Sequence, residues 1–211
     1  MLDYNLSNMF ILGYSGHAFV VLDSIQSENN KAIGYFDQKE VLYNPYDLMY
    51  FGSETETDFK EKVANNIVFP CIGSNIIRKK MILHLENLNI KQTIVRHKSA
   101  IISPTSVIEK SSFIGPGAIL NTLTKIGKGC IINSGAIIEH ECTIGNYSHI
   151  APGVVLAGNV SVGSETFIGA NSVFRQGQKI GNNVVIGAGS VVVCDIPDNE
   201  MWFGNPAKRI K

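Results

Sequence analysis

Apolar residues stand at every sixth position from Ile102 to Val192 without a break: Ile102, Ile108, Ile114, Leu120, Ile126, Ile132, Ile138, Ile144, Ile150, Leu156, Val162, Ile168, Phe174, Ile180, Ile186 and Val192. In a chain that is 45% hydrophobic, an unbroken run of this kind would arise by chance roughly three times in a million. The fourth residue after the apolar one is usually small, as in Ser106, Ser112, Ala118, Thr124, Cys130, Ala136, Cys142 and Ser148, and glycine follows it directly at 115, 127, 145, 163, 169, 181 and 187. A period of six matches neither a helix nor a simple strand. It does match a parallel β-helix, in which each unit is one short flat side of a narrow triangular coil. The large and small residues of each unit then point inward, and glycine and polar residues take the corners and outer faces. Three units close one coil, so residues 18 apart stack, giving ladders such as Ile114, Ile132, Ile150, Ile168 and Ile186 over about five coils.

Before residue 99 the pattern is different. Short β-rich runs (MFIL at 9–12, AIGYF at 32–36, IVFPCI at 67–72 and QTIVRH near 95) alternate with helical stretches at about 16–26, 55–64 and 75–88. The alternation predicts an α/β domain with a small Rossmann-like parallel sheet and helices on its faces. Two domains follow, 1–98 and 99–211. The first strand runs into Gly13, Tyr14, Ser15, Gly16 and His17, a glycine turn that lets backbone amides at a helix N-terminus approach an anion such as phosphate. By itself GxxG is also what a tight strand-to-helix turn looks like. Asp37 ends the second strand about twenty residues on, where a carboxylate in a doubly wound fold can bond a ribose hydroxyl, and Gly73 opens a second strand-to-helix turn at the same sheet edge. The three features converge on one crevice.

Eighteen basic and eighteen acidic residues cancel, which argues against nucleic acid or an anionic membrane as partner. No stretch approaches a membrane span, and residues 1–12 lack a basic segment followed by a long apolar one, so the expectation is a cytoplasmic protein. Cys71, Cys130, Cys142 and Cys194 form no CxxC pair and read as free core thiols.

Within the repeat, Ile138-Glu139-His140-Glu141-Cys142 is chemically unusual. His140 and Glu141 fall between two inward positions and should project outward at a corner. A histidine there can take a proton from an attacking amine or hydroxyl, and a carboxylate, Glu141 or Glu139, can orient the ring and stabilise the imidazolium. Cys142 occupies the inward phase, where a thiol is inert. A zinc site of the kind found in a β-helix carbonic anhydrase needs a third histidine, and only His140 and His149 lie on the coils, so no metal is expected.

The stretch IEHECTIGNYSHIAPGVVLAGNVSVG, together with GYSGH, IGSNIIRKK, HKSAIISP and the terminal GNPAKRI, resembles the bacterial hexapeptide-repeat sugar acetyltransferases of the sialic acid acetyltransferase type. The closest resemblance is to enzymes that N-acetylate a UDP-linked 4-amino sugar on the way to bacillosamine. It covers nearly the whole chain and implies a left-handed coil, against the usual crossover rule, acetyl-CoA as co-substrate, and homotrimers with active sites between subunits. It also implies roles: His140 as general base, Glu141 raising its basicity, His149 with backbone at Ala170 and Ala188 at the acetyl-CoA site, and Ser15, Gly16, His17, Asp37 and Gly73 at the nucleotide sugar. The family carries a second acidic residue after its strand-end aspartate, where this chain has Gln38. His84 and His97 read as structural or surface residues, and Trp202 as packing over the last coil.

The resulting expectation is N-acetylation of a nucleotide-linked 4-amino-4,6-dideoxy sugar, UDP-linked first, by direct attack of the amine. O-acetylation of a sialic acid, a dTDP- or GDP-linked amino sugar, and a non-catalytic nucleotide-sugar-binding scaffold are the alternatives.

Overall fold

The computed structural model describes residues 9–210. The expectation that no leader segment is present falls partly on residues 1–8, outside the described residues. The chain runs β1 (Met9–Leu12), α1 (Gly16–Ser27), β2 (Ala32–Phe36), β3 (Met49–Tyr50), α2 (Phe59–Val63), β4 (Ile67–Pro70), α3 (Asn75–Asn87) and β5 (Val95–Arg96), then the coil. The first four strands form one parallel sheet in the order β3-β2-β1-β4. β1 is central and buried throughout, which is why it reads as a continuous apolar run. Met9 and Ile11 join α1 residues Ala18, Val21 and Leu22 in one apolar cluster. Phe10 and Leu12 face the other way, toward Phe59 of α2 and Met81 and Leu85 of α3.

Three local features differ from the pattern reading. β3 pairs with β2 through only Met49 and Tyr50, too short a segment to show any period. α2 begins at Phe59 instead of about 55. Upstream, Ser53 N–H donates to Glu56 Oε1 at 2.9 Å and Thr55 N–H to Ser53 Oγ at 3.2 Å; such local side-chain bonds hold the backbone in a turn and compete with helix. β5 does not extend the N-terminal sheet. It pairs in parallel with Phe113–Ile114 and starts one face of the coil.

The coil consists of sixteen two-residue strands, from Ile101–Ile102 to Val191–Val192. Each sixth-position apolar residue is the second, inward residue of its strand, and from Ile114 onward all are buried. Ile102 and Ile108, at the start of the coil, are part-buried against the same core. Pairing 18 residues apart is seen along the ladder Ile114, Ile132, Ile150, Ile168 and Ile186. The architecture is a parallel β-helix, with its two-residue strands stacked into three faces around one apolar core.

The small inward residues do more than leave room. Ser112 Oγ donates to Gly127 O at 2.8 Å, Ser148 Oγ to Gly163 O at 2.7 Å and Thr166 Oγ1 to Gly181 O at 2.8 Å. The same hydroxyls accept from the amides of Cys130, Thr166 and Val184 in the coil above. Corner backbone groups with no ladder partner are thereby satisfied.

The glycines that follow the apolar position are required by space. A Cβ at Gly145 would lie 2.5 Å from Ser164 N, and one at Gly163 would lie 2.5 Å from the carbonyl carbon and oxygen of Gly181. At the far end an antiparallel hairpin of Met201–Gly204 and Ala207–Arg209 closes the last coil. Trp202 packs against the coil core, as expected, and its Nε1 donates to Glu200 Oε2 at 2.7 Å.

Cys71, Cys130 and Cys142 are buried free thiols, but Cys194 is exposed. It sits at an outer corner two residues after the inward Val192, so the reading of all four as core thiols holds for three. Burial pushes the Cys130 thiol up to about 12 and Cys142 up to about 11. Among the described residues no helix is long and apolar enough to cross a membrane.

Candidate active site

The C-terminal edge of the N-terminal sheet opens into a cavity of about 510 Å³. Gly13, Tyr14 and Ser15 line it from the β1–α1 turn, Asp37 and Gln38 from the end of β2, Ile72 and Gly73 from the end of β4, and Ile77 and Lys80 from α3. Gly13 takes φ +90, a conformation glycine adopts at no steric cost. Asp37 braces the turn: Oδ2 accepts the Tyr14 amide at 2.8 Å and Oδ1 the Gln38 amide at 2.7 Å. Ser15 makes no side-chain cap to α1, and the first turn of that helix carries no acidic residue. Its amides are therefore not occupied by a side chain, the arrangement that favours an anion.

Of the five residues assigned to this crevice, Ser15, Asp37 and Gly73 line it. Gly16 sits in the turn but not in the wall, and His17 turns toward the coil. Its ring meets Phe113 edge-on at 5.3 Å, and its Nε2 is buried with no hydrogen-bond partner. Burial, with smaller contributions from His149 and Arg78, lowers its pKa to about 3.

His149 projects from the coil face that carries β5. Its Nδ1 lies 3.4 Å from Gly73 O and its Nε2 3.3 Å from Asn133 Nδ2, with Phe167 edge-on at 5.1 Å. Burial, aided by the Arg78 charge, lowers its pKa to about 4. Ala170 and Ala188 follow the next two strands of the same face, linked by Gly189 N–H donating to Ala170 O at 2.8 Å. With Ser134 and Pro152 they make a corner of small side chains.

His140 and Glu141 stand at another corner, after the strand Ile137–Ile138 of the six-stranded face. Their side chains meet at 3.1 Å, Nδ1 to Oε2, and are 46% and 58% exposed. Of the two flanking glutamates it is Glu141 that meets the ring, while Glu139 accepts from Asn121 Nδ2 at 3.0 Å. Glu141 holds φ +62, uncommon for a residue with a side chain, and the corner is kept by its amide donating to Thr122 O at 3.0 Å. The imidazole lies over Gly158, where any Cβ would collide with Cε1 and Nε2. A ring bound through Nδ1 to a carboxylate keeps Nε2 available to receive a proton.

Comparison with known proteins matches residues 8–85 to the PglD N-terminal domain, 123–158 to the bacterial transferase hexapeptide (six repeats), and 159–194 to the hexapeptide repeat of succinyl-transferase. A search of curated proteins found no match. Among solved structures, PerB from Caulobacter crescentus in complex with CoA and GDP-perosamine is 30% identical, with 97% of this chain and 98% of that chain covered and a TM-score of 0.90. The chain belongs to the hexapeptide-repeat sugar acetyltransferases. Members of this family are acetyl-CoA-dependent sugar acyltransferases. A mutant of perosamine N-acetyltransferase from Caulobacter crescentus, in complex with CoA and GDP-perosamine, is 29% identical over 97% of both chains (TM-score 0.92). The acetyltransferase domain of PglB from Neisseria gonorrhoeae, in complex with acetyl coenzyme A, is 27% identical over 97% of this chain and all of that one (TM-score 0.89).

In this acetyltransferase the motif reading overlooked three residues. Gly158 is the floor beneath His140, and its only sequence signal is that it stands 18 residues, one coil, after it. Lys80 presents a cation to the crevice. Arg78 is buried between α3 and the coil. Among the described residues, no three His, Cys, Asp or Glu side chains gather to hold a metal.

Proposed function

We propose that this enzyme N-acetylates the amino group of a nucleotide-linked 4-amino-4,6-dideoxy sugar, UDP-linked first, with His140 as general base. The observation that carries the reading is the exposed His140–Glu141 pair in a chain that also holds a crevice with a glycine turn and an uncapped helix start. In the proposed reaction the sugar amine attacks the acetyl thioester carbonyl and His140 Nε2 takes the amine proton. The amide C–N bond forms, the C–S bond breaks, and the proton passes to the departing thiolate. Glu141 stabilises the imidazolium between these steps. Acetyl-CoA supplies the activated acyl group. The corner of small residues at Ser134, Pro152, Ala170 and Ala188 fits a thin, extended chain lying along the coil, close to His149. A route through an acetyl-cysteine is disfavoured, because the Cys142 thiol is buried and its pKa is raised to about 11.

Sites between subunits fit the same geometry. His140 borders the coil face whose outward residues are Ile101, Ile119, Ile137, Val155, Val173 and Val191, all β-branched and aliphatic, whereas the next face presents Val107, Lys125, Thr143, Ser161 and Lys179. A face this apolar is suited to packing against copies of itself. His149 and the crevice lie around another face of the same chain, so a neighbouring subunit is the natural source of the His140 that completes each site. Light scattering of active protein is expected to give about three times the 23.0 kDa chain mass; a single-chain mass would refute shared sites. The reading places the enzyme in the cytoplasm, the reducing compartment in which free thiols persist.

The deciding experiment is CoA-thiol release from acetyl-CoA with UDP-, dTDP- and GDP-linked 4-amino sugars and free sialic acid. Rapid release with one nucleotide amino sugar is expected. Activity on sialic acid alone would move the chain to O-acetylation, and silence with every acceptor would favour a binding scaffold. The GDP-linked sugar is the second reading, favoured by the GDP-perosamine held in the PerB structure.

A further inference from the structure

Arg78 is 1% exposed and is the only charged side chain among the fully buried described residues. Among the described residues no carboxylate pairs with it. Its donors go to neutral oxygens on two structural units: Nη1 to Ile72 O and Gly73 O, both at 3.0 Å, Nη2 to Asn75 Oδ1 at 2.7 Å and Tyr147 O at 2.8 Å, and Nε to Gly129 O at 2.7 Å. Burying a guanidinium without a counter-ion is costly even when every N–H is bonded, and an apolar side chain would join helix to coil at lower cost. What the guanidinium fork adds is a fixed geometry for several carbonyls at once.

One of those carbonyls belongs to Gly73, in the crevice wall, and it also faces His149 Nδ1 at 3.4 Å. A carbonyl oxygen can only accept, so Nδ1 must carry the proton. The other nitrogen, Nε2, is then the bare acceptor, and the group facing it at 3.3 Å is a donor, the Asn133 amide nitrogen. The titratable groups around this ring are Arg78 from α3 and His17 from α1, while the coil contributes uncharged Asn133 and Phe167.

We propose that Arg78 is a positioning residue: it locks the Ile72–Asn75 loop of the crevice onto the coil and, through Gly73 O, fixes His149 as the Nδ1–H tautomer, with Nε2 presented as a hydrogen-bond acceptor. His149 thus acts as a neutral acceptor on the coil side of the crevice wall, behind Gly73, able to meet an N–H or O–H of a bound molecule, and does not serve as a proton donor at Nε2. The kinetic consequence rests on the nucleotide-sugar reading of the crevice; the tautomer does not.

The test uses the full-length protein, with imidazole nitrogens observed by 15N NMR, alongside Arg78→Gln and Arg78→Lys. Wild type is expected to show His149 as a single Nδ1–H tautomer. Arg78→Gln should give mixed tautomers, a roughly tenfold higher KM for the nucleotide sugar through the released Ile72–Asn75 loop, and a smaller rise in the KM for acetyl-CoA, whose proposed site borders His149. Arg78→Lys, which keeps the charge and loses the fork, should restore only part of either. An Nε2–H tautomer in wild type, or an unchanged tautomer and KM in folded Arg78→Gln, would overturn the proposal. Should Arg78→Gln fail to fold, Asn133→Ala serves: the Nδ1–H form must persist, because Gly73 sets it, and a switch to Nε2–H refutes that. Wild type that turns over no nucleotide sugar would sink the crevice reading, and the tautomer measurement would still decide the role of Arg78.

Discussion

His140→Ala is expected to lower kcat on the order of a hundredfold or more while the protein remains folded and binds both substrates. The ring is about half exposed and its polar contact is with Glu141, itself more exposed still, so its loss opens no cavity in the coil. Glu141→Gln keeps shape and a hydrogen bond but removes the charge that stabilises the imidazolium, and should cost on the order of tenfold. Gly158→Ala is the stricter companion. The new methyl would occupy the space of the imidazole, and because the ring is free to swing outward, the coil is spared while the imidazole is displaced. A fall of about tenfold in kcat with unchanged melting is the expected result. Steady-state kinetics of all three variants, with circular dichroism, give the reading. Near-normal turnover in His140→Ala would remove this residue from the chemistry.

The coil was legible because its physics repeats: one inward apolar side chain per flat side over 15 intervals without a slip, with a usually small residue four positions later. What the repeat could not reveal was why glycine recurs beside the apolar position. A corner suggests special backbone angles, yet at Gly145 and Gly163 the cause is the backbone of the next coil at 2.5 Å, a contact between residues about 18 apart. The His140 corner was half legible. Two glutamates flank His140, and what makes them unequal is a contact the sequence does not show: Asn121, one coil earlier, holds Glu139, leaving Glu141 at the ring. The domain junction was not legible at all. Arg78, Lys79 and Lys80 are one cationic run in sequence, but successive side chains on a helix point about 100° apart. Arg78 enters the coil, Lys79 pairs with Glu165 at 2.6 Å, and Lys80 lines the crevice. β5 was misplaced for a related reason: its apolar content suits either sheet, and pairing with Phe113–Ile114 is a tertiary choice.

Gly163→Ala is expected to be among the most damaging single-methyl changes in the coil, at ~3 kcal/mol. Its φ is not in the left-handed region, so the backbone conformation itself would accept alanine. The obstacle is the adjacent strand end: the carbonyl carbon and oxygen of Gly181 at 2.5 Å and Asn182 N at 2.6 Å. These are backbone atoms held in the ladder, since Gly163 N–H donates to Ile180 O and Gly181 N–H to Ile196 O, both at 2.8 Å. No side chain can rotate away, so the coils must separate locally and weaken the pairing between Ser161–Val162 and Lys179–Ile180. Gly177→Ala is the control with the opposite cause. It has φ +76 and no atom within 4 Å of the new Cβ, so only conformational strain of roughly 1 kcal/mol applies. For a chain of this length the two changes should lower Tm by about 6–12 °C and about 2–4 °C, measured at equal protein concentration because assembly adds to apparent stability. If Gly177→Ala proves the more damaging, the glycines beside the apolar positions are retained for backbone angle after all, and the close-approach account of the coil fails.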